Sequence, residues 1–365
     1  MAERHVGLIS GTSMDGIDAV VVDFDRNPPL IEAAQTMAFQ SSVRELLDQL
    51  RANPDAFPTA KLSHLDALLG DALADAALQV LAKAGLRPEN ICSIGSHGQT
   101  VAHHPEANPP WTLQIADPHR IAHQTGITTV ADFRRADLAL GGQGAPLAPL
   151  LHQALLASAE ECRAVVNLGG IANLTWLPES GGVSGFDTGP ANCFLDLWYR
   201  RHHDDRFDRN GDWAAGGTVD PAWLETLLDD PYFARPPPKS TGIEYFSAAW
   251  LNQRLPDWAD NRPRDIQATL SEFSARSLAD AFPESPDRII ICGGGVHNQD
   301  LLQRLARHWP DTPIESSAEF GIDPDFVEAL LFAWLARERL AGRRVDTPTI
   351  TGASTPIHCG VIYIP

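Results

Sequence analysis

Two spacings of apolar residues take turns along the chain. Near the start, "VGLIS" (6–10), "IDAVVVDF" (17–24) and a looser run at 30–39 carry apolar residues in short extended stretches, which predicts three neighbouring strands in a meander. The period then changes. Over 59–86, Leu62, Leu65, Leu69 and Leu73 recur at three- and four-residue steps, which predicts a long helix stopped by Gly85. Strands are expected next at 91–95, 111–115 and 127–131, with a polar loop after the first and a short helix near 118–125. After residue 160 the order starts again: strands at 163–168, 172–177 and 183–186, a helix near 191–201, then "DRIIICGGGVHN" as a buried strand entering a glycine turn and a further helix. Segments 234–242 and 257–265 read as loop insertions.

The repeat is one of architecture, since the halves share negligible identity. It predicts two mixed α/β lobes, an arrangement that commonly holds ligand between its halves. At 365 residues the chain exceeds what one core fills. The first lobe is expected over 1–145, with 357–365 returning to it, and the second over 146–356.

Charge and cysteine narrow the function classes. A net charge of −19, from 28 basic and 47 acidic residues, argues against nucleic acid and anionic membrane surfaces as partners. It leaves open a phosphorylated ligand held by backbone N–H groups and a metal ion. The five cysteines, at 92, 162, 193, 292 and 359, form no Cys-x-x-Cys unit and suit free thiols in a reducing compartment. The N-terminus lacks the apolar core of a signal peptide, and no run of eighteen apolar residues exists, so a soluble cytoplasmic protein is expected.

Three glycine turns stand at strand ends. "GTSMDG" (11–16) is not a Walker A loop, because Gly-Lys-[Ser/Thr] is absent and a strand follows it. "LGGI" places Gly169 and Gly170 inside a second strand pair, and Gly293, Gly294 and Gly295 follow the strand that ends in "IIIC". Glycine lets a backbone approach an anion closely, with successive N–H groups aimed at one point. Thr12, Ser13 and Asn173 add neutral donors, whereas Asp15 and Asp18 would repel phosphate unless Mg²⁺ and its waters lay between. Each turn alone is also an ordinary tight turn; three together in a doubled plan point to a nucleotide site.

Glu328 is the only ionisable residue in "FVEALLFAWLA" (326–336), a helix apolar on every side and so expected to be buried. Its carboxylate then needs a partner: an Arg, the helix's own N-terminal dipole, or a substrate hydroxyl. His97, Gln99 and Thr100 in "SHGQTVAHHP" are candidates to meet a substrate or an attacking water. Arg134 in "DFRRAD" is a fixed cation suited to a ligand carboxylate, or else a surface Arg paired with Asp132 or Asp137. His103–His104 and His119/His123 lack the further ligands of a metal site. The charge-rich "HHDDRFDRNGD" (202–212) reads as a solvated loop.

Seven ordered blocks, "GLISGTSMDGIDA", "SHGQTVAHHP", "TLQIADP", "ADFRRADLALGGQGAPL", "NLGGIANLT", "GFDTGPANCFLD" and "ICGGGVHN", with the C-terminal "TGASTPIHCGVIYIP", resemble the anhydro-N-acetylmuramic acid kinases of the sugar-kinase, actin and Hsp70 superfamily. The resemblance runs over essentially the whole chain. It implies a two-lobed actin/hexokinase-like fold with duplicated ribonuclease H-like domains and a central cleft. It implies ATP and Mg²⁺ as cofactors and a homodimer. It implies a first phosphate loop at Gly11, Thr12, Ser13, Met14, Asp15, Gly16, Ile17 and Asp18, with Asp15 and Asp18 towards the metal. A second loop is implied at Asn167, Gly169, Gly170 and Asn173, and an adenosine loop at Gly293, Gly294, Gly295 and Asn298. His97, Gln99, Thr100, Arg134 and Glu328 would face the sugar.

The implied reaction opens the 1,6-anhydro ring with water and phosphorylates O6, so one general base suffices. Asp187, expected at the end of a short strand, is the candidate; the plainer role for it is capping the helix that follows. A plain hexose or amino-sugar kinase and an actin- or Hsp70-like ATPase are the competing readings. Two positions depart from the family pattern: Ile243 stands where Arg is expected before Glu244, and Ala191 where glycine is expected.

Overall fold

The computed structural model describes residues 2–11, 14, 16–237 and 239–365, with Asp55 described by its backbone alone. The chain up to Leu151 and Gly321–Pro365 form one compact unit, and His152–Phe320 form another. The first unit therefore regains the chain at Gly321, well before the expected return at 357.

In the first unit β1 (Arg4–Ser10), β2 (Ile17–Asp23) and β3 (Leu30–Met37) form an antiparallel meander. β4 (Ser93–His104) then pairs parallel with β1, and β6 (Thr129–Ala131) parallel with β4, while β5 (Trp111–Ile115) forms a hairpin with β4. The second unit repeats this layout. β7 (Arg163–Leu168), β8 (Ile171–Leu177) and β9 (Ser184–Pro190) form the meander, and β10 (Arg288–Cys292) and β11 (Ile314–Ser316) add on the β7 side in parallel. Both sheets thus run third-second-first-fourth and then one further parallel strand, β6 in the first and β11 in the second, the doubled plan expected from the strand pattern. β12 (Val361–Tyr363) closes the first sheet beside β6.

Alternation along β1 explains why residues 321–356 belong to the first unit. Val6 and Leu8 point to one face, into a core with Leu65, Leu69 and Leu73 of the helix Thr59–Lys83. Each fully buried leucine of that stripe stabilises by roughly 1.5–3 kcal/mol. Gly7, between them, faces the other side, as does Gly95 on β4. A Cβ on Gly7 would overlap the Ala329 carbonyl, and one on Gly95 the Phe332 carbonyl. Bare backbone at these two points lets the helix Val327–Leu340 lie directly on the sheet.

The second unit adds an aromatic core outside its sheet. Phe194, Trp198, Trp223, Tyr232, Phe246, Trp250 and Phe273 cluster there, and Trp250 stacks on Phe194 with ring centroids 5.1 Å apart. This cluster holds the chain between Trp213 and Trp258, which includes the expected loop at 234–242. No helix among the described residues is long and apolar enough to cross a membrane.

Candidate functional site

In the second unit the parallel strands β7 and β10 lie side by side, and both end in glycine turns. Gly169 and Gly170 form the tight connection from β7 to β8. Their carbonyls accept N–H groups from Ala191, Asn192 and Cys193 at the start of the helix Asn192–His202, and Asn192 Nδ2 donates to the Leu168 and Gly169 carbonyls. In a trans peptide N–H and C=O point oppositely, so the Gly170 N–H faces away from that helix, on an exposed residue. Gly293 has φ +78°, and side chains on Gly293 or Gly295 would strike Asn167 and Leu168, whereas a Cβ on Gly294 would meet open space. Two of the three glycines after β10 thus serve packing against β7, and the middle one is free for a ligand.

A cavity of about 310 Å³ adjoins these turns. Asn192, Leu195, Phe207, Asn210, Gly294 and Asn298 are among its lining residues. Phe207 and Asn210 come from the segment expected to be a solvated loop; it is largely exposed, and it also lines this cavity. Phe207 is 48% exposed at the cavity wall, with the Arg209 guanidinium over its ring 5.7 Å from the centroid. The signal for it was one large apolar residue amid eight charged or histidine neighbours in "HHDDRFDRNGD". Asn298 also caps the following helix, its Oδ1 accepting the Leu301 N–H at 3.1 Å.

Asp187 is not at a strand end. β9 continues to Pro190, and Asp187 stands opposite Asn173 on β8, next to a register shift that leaves Thr188 as the extra residue. Bulges of this kind re-aim neighbouring side chains. Nor does Asp187 cap the next helix, which begins at Asn192 with Ala191 before it and no side-chain cap. The carboxylate is 9% exposed and held at both oxygens. Oδ1 accepts from Asn173 Nδ2, whose own Oδ1 accepts from Asn167 Nδ2 at 3.3 Å. Oδ2 accepts from Ser240 Oγ and from the Thr241 N–H, each at 2.9 Å. Burial pushes the carboxyl above the usual range, the donors from Thr241, Ser240 and Asn173 oppose that, and the charge of Glu244 adds to it. Ile243 packs close to Gly170, so the position where Arg was expected is apolar here.

In the first unit the β1–β2 loop brings Gly11 and Met14 into a turn, with the Met14 N–H on the Gly11 carbonyl at 3.0 Å and Arg44 donating to the Met14 carbonyl at 2.9 Å. The Met14 and Ile17 side chains sink into the core, so both can serve a ligand only through backbone. A Cβ on Gly16 would press on the Met37 carbonyl. Thr12, Ser13 and Asp15 lie outside the described residues. Asp18 is half-buried and accepts from Thr36 Oγ1 at 2.6 Å. Burial raises its carboxyl, the Thr36 bond opposes, and Asp325 adds repulsion.

The expected polar loop after residue 95 is the second half of β4, so His97, Gln99 and Thr100 are strand residues. Gln99 is buried and committed: its Oε1 accepts from Ser10 Oγ at 2.5 Å and its Nε2 donates to the Thr100 carbonyl at 3.1 Å. Thr100 Oγ1 accepts from Gln114 Nε2 at 3.3 Å. Arg134 pairs with neither Asp132 nor Asp137. Its Nε–H donates to His97 Nε2 at 3.0 Å and its Nη1 to the Gly144 carbonyl at 2.8 Å. Because His97 Nε2 accepts, the ring proton sits on Nδ1, facing the Gly98 carbonyl at 3.3 Å. Burial and Arg134 hold that imidazole well below its usual pKa, so it is neutral. The Gly144 turn is fixed in turn by buried Asp137, which accepts from the Gly144 N–H at 2.6 Å and Thr351 Oγ1 at 2.7 Å. With Nε and Nη1 engaged, Nη2 of Arg134 is the guanidinium nitrogen without a protein partner among the described residues.

Glu328 corrects another expectation. It is exposed, because it occupies the first turn of the helix Val327–Leu340 and not the apolar middle. Crowding by surrounding protein raises its carboxyl, Arg134 opposes that, and Asp18 adds to it. Among the described residues no group of three His, Cys, Asp or Glu side chains is placed to hold a metal ion by itself. Asp18 offers a hard, half-buried carboxylate oxygen crowded by the like charge of Asp325, a donor that suits Mg²⁺ bound mostly through water and phosphate.

Glycine turns at the ends of adjacent parallel strands, a cavity beside them and a buried, oriented carboxylate suit a phosphorylated ligand on a mixed α/β scaffold, and the family match makes the chain a kinase. Residues 3–365 match the family Anhydro-N-acetylmuramic acid kinase, and the chain belongs to it. Proteins of that name from Xanthomonas campestris pv. campestris and Xylella fastidiosa are 51% and 49% identical to it, over 98% and 99% of this chain and 97% and 96% of theirs. The one from Pasteurella multocida is 42% identical, over 98% of this chain and 96% of its own.

Proposed function

We propose that the protein uses ATP and water to convert 1,6-anhydro-N-acetylmuramic acid into N-acetylmuramic acid 6-phosphate, in cell-wall recycling. Water adds to the anomeric carbon and the C1–O6 bond breaks. O6 takes the γ-phosphoryl group, and ADP departs with the electrons of the broken P–O bond. The water's proton goes to Asp187. No separate acid is needed, since phosphorus captures the departing oxygen.

The carrying observation is Asp187 itself. It is buried, raised, oriented by three donors and spent on no helix cap, the condition of a poised general base. Backbone N–H groups at Gly11 in the first unit and at Gly170 in the second each suit phosphate, and the cavity beside Gly294, with Phe207 at its wall, suits adenosine. Asp18 would help hold Mg²⁺ through water, and the ion when bound would supply charge neutralisation at the phosphates. Arg134, through Nη2, fits the lactyl carboxylate of the sugar, and Glu328 fits a sugar hydroxyl. His97 and Gln99 act behind them, His97 by orienting Arg134 and Gln99 by fixing Ser10.

ADP release measured with 1,6-anhydro-N-acetylmuramic acid, N-acetylglucosamine and glucose tests this reading. Release is expected with the first alone, with label from ¹⁸O-water at C1 of the product. Equal release with a plain hexose and no label would establish simple hydroxyl phosphorylation instead, and release indifferent to any sugar would establish a motor or chaperone ATPase.

A further inference from the structure

β9 is an edge strand of its sheet, and the peptide of Asp187 is held on that edge from outside. Its N–H donates to the Lys239 carbonyl at 3.1 Å, and its carbonyl accepts from the Tyr232 hydroxyl at 2.6 Å. The next two residues after Lys239 supply Asp187 Oδ2 with both of its donors. Lys239 itself is only 6% exposed, and no carboxylate pairs with it among the described residues. Its ammonium lies 3.3 Å from the Phe233 carbonyl and 3.5 Å from the Tyr232 carbonyl, and 4.8 Å from the Tyr232 ring centroid. A buried cation without a counter-ion is costly, and a methionine would fill the same space at less cost. The 230–233 turn that receives it is firmly built: Asp230 accepts from the Tyr232 N–H, Tyr245 hydroxyl and Trp250 Nε1, and pairs with Arg254 at 3.1 Å.

We propose that Lys239 is a positioning residue for the catalytic carboxylate, clamping the Ser240–Thr241 pair against Asp187 by docking its ammonium on the Tyr232–Phe233 turn. The clamp keeps Oδ2 supplied with two donors, so that the carboxylate is oriented and ionised when water must be deprotonated. The other groups facing Asp187 are Glu244, which opposes ionisation, and the Tyr232 phenol; Arg235 lies close to Lys239 and, after burial, is the second cause of its lowered pKa. The inference rests on the reading of Asp187 as the base.

The test is the pH profile of kcat/KM for the anhydro-sugar in Ser240→Ala, Ser240→Thr, Lys239→Met and Asp187→Asn. Loss of one donor in Ser240→Ala is expected to move the acidic limb upward and lower kcat about tenfold. Ser240→Thr, which keeps the hydroxyl, is expected to restore the wild-type limb. Lys239→Met is expected to move the limb like Ser240→Ala, with KM for ATP unchanged. An acidic limb identical to wild type in Ser240→Ala, while Asp187→Asn is inactive, overturns the clamp and leaves the base in place. Activity surviving in Asp187→Asn overturns the base and the clamp with it. If Lys239→Met does not fold, the Ser240 pair decides.

Discussion

Replacing Gly95 by alanine adds one methyl group where the Val327–Leu340 helix rests on β4. That carbon would overlap the Phe332 carbonyl, a backbone atom that no side-chain rotation can move aside. The added carbon would lie 1.9 Å from the Phe332 oxygen, so restoring ordinary contact requires the helix to withdraw by about 1.5 Å. Overpacking of this kind costs about 1–3 kcal/mol. Alanine also reduces the freedom of the unfolded chain, which returns about 0.4–1 kcal/mol. The net expectation is destabilisation of about 1–2 kcal/mol. Glu328 lies one helical turn before Phe332, so the same withdrawal displaces a proposed sugar contact, and a 1 Å misplacement can cost up to about a hundredfold in rate. Urea unfolding reads the first effect, and kcat/KM with anhydro-sugar varied reads the second. Gly294→Ala, where nothing lies within 4 Å of the added carbon, is the control for stability. An unchanged urea midpoint together with unchanged kcat/KM in Gly95→Ala would refute the account of how this helix is seated.

Asp187→Asn is expected to bind ATP and to lose at least about a hundredfold in kcat. Its native carboxyl is raised, so protonation favours the folded state; that contribution is complete in acid and lost as pH climbs through the raised value. Thermal melts should therefore show the variant more stable than wild type at neutral pH, with the gap closing in acid. Arg134→Lys loses the fork set by His97 and Gly144, and kcat/KM for the anhydro-sugar should fall about tenfold or more through KM. With 1,6-anhydro-N-acetylglucosamine, which has no lactyl carboxylate, variant and wild type should be alike; equal losses on both sugars would remove Arg134 from that role.

The doubled strand order was legible because alternation and glycine punctuation are local signals, and both sheets depend on them. Asp187 was legible as a residue but not in its setting. Its donors Ser240 and Thr241 lie over fifty positions away, in a segment that composition marks only as loop. Glu328 was misplaced because an apolar stretch reveals that a helix is buried, not which turn emerges. Since the helix starts at Val327, its second residue is in the open turn. Phe207 was obscured by its charged neighbours, whose main structural act is local: Asp208 accepts the N–H groups of Trp213 and Ala214, at 2.9 Å each, and so folds the chain back to the cavity. His97 was chosen for its chemistry, yet only the distance to Arg134 shows that its free lone pair is already engaged.

The cover that residue 239 and the Tyr232 hydroxyl place over β9 has a bearing on solubility. An uncovered outer strand offers unsatisfied amides to another chain, a recognised route to self-association. Here one short stretch both tends the carboxylate and blunts that border. Variants that loosen it should therefore be freed of aggregate before their turnover is measured, or colloidal loss will be mistaken for a chemical defect.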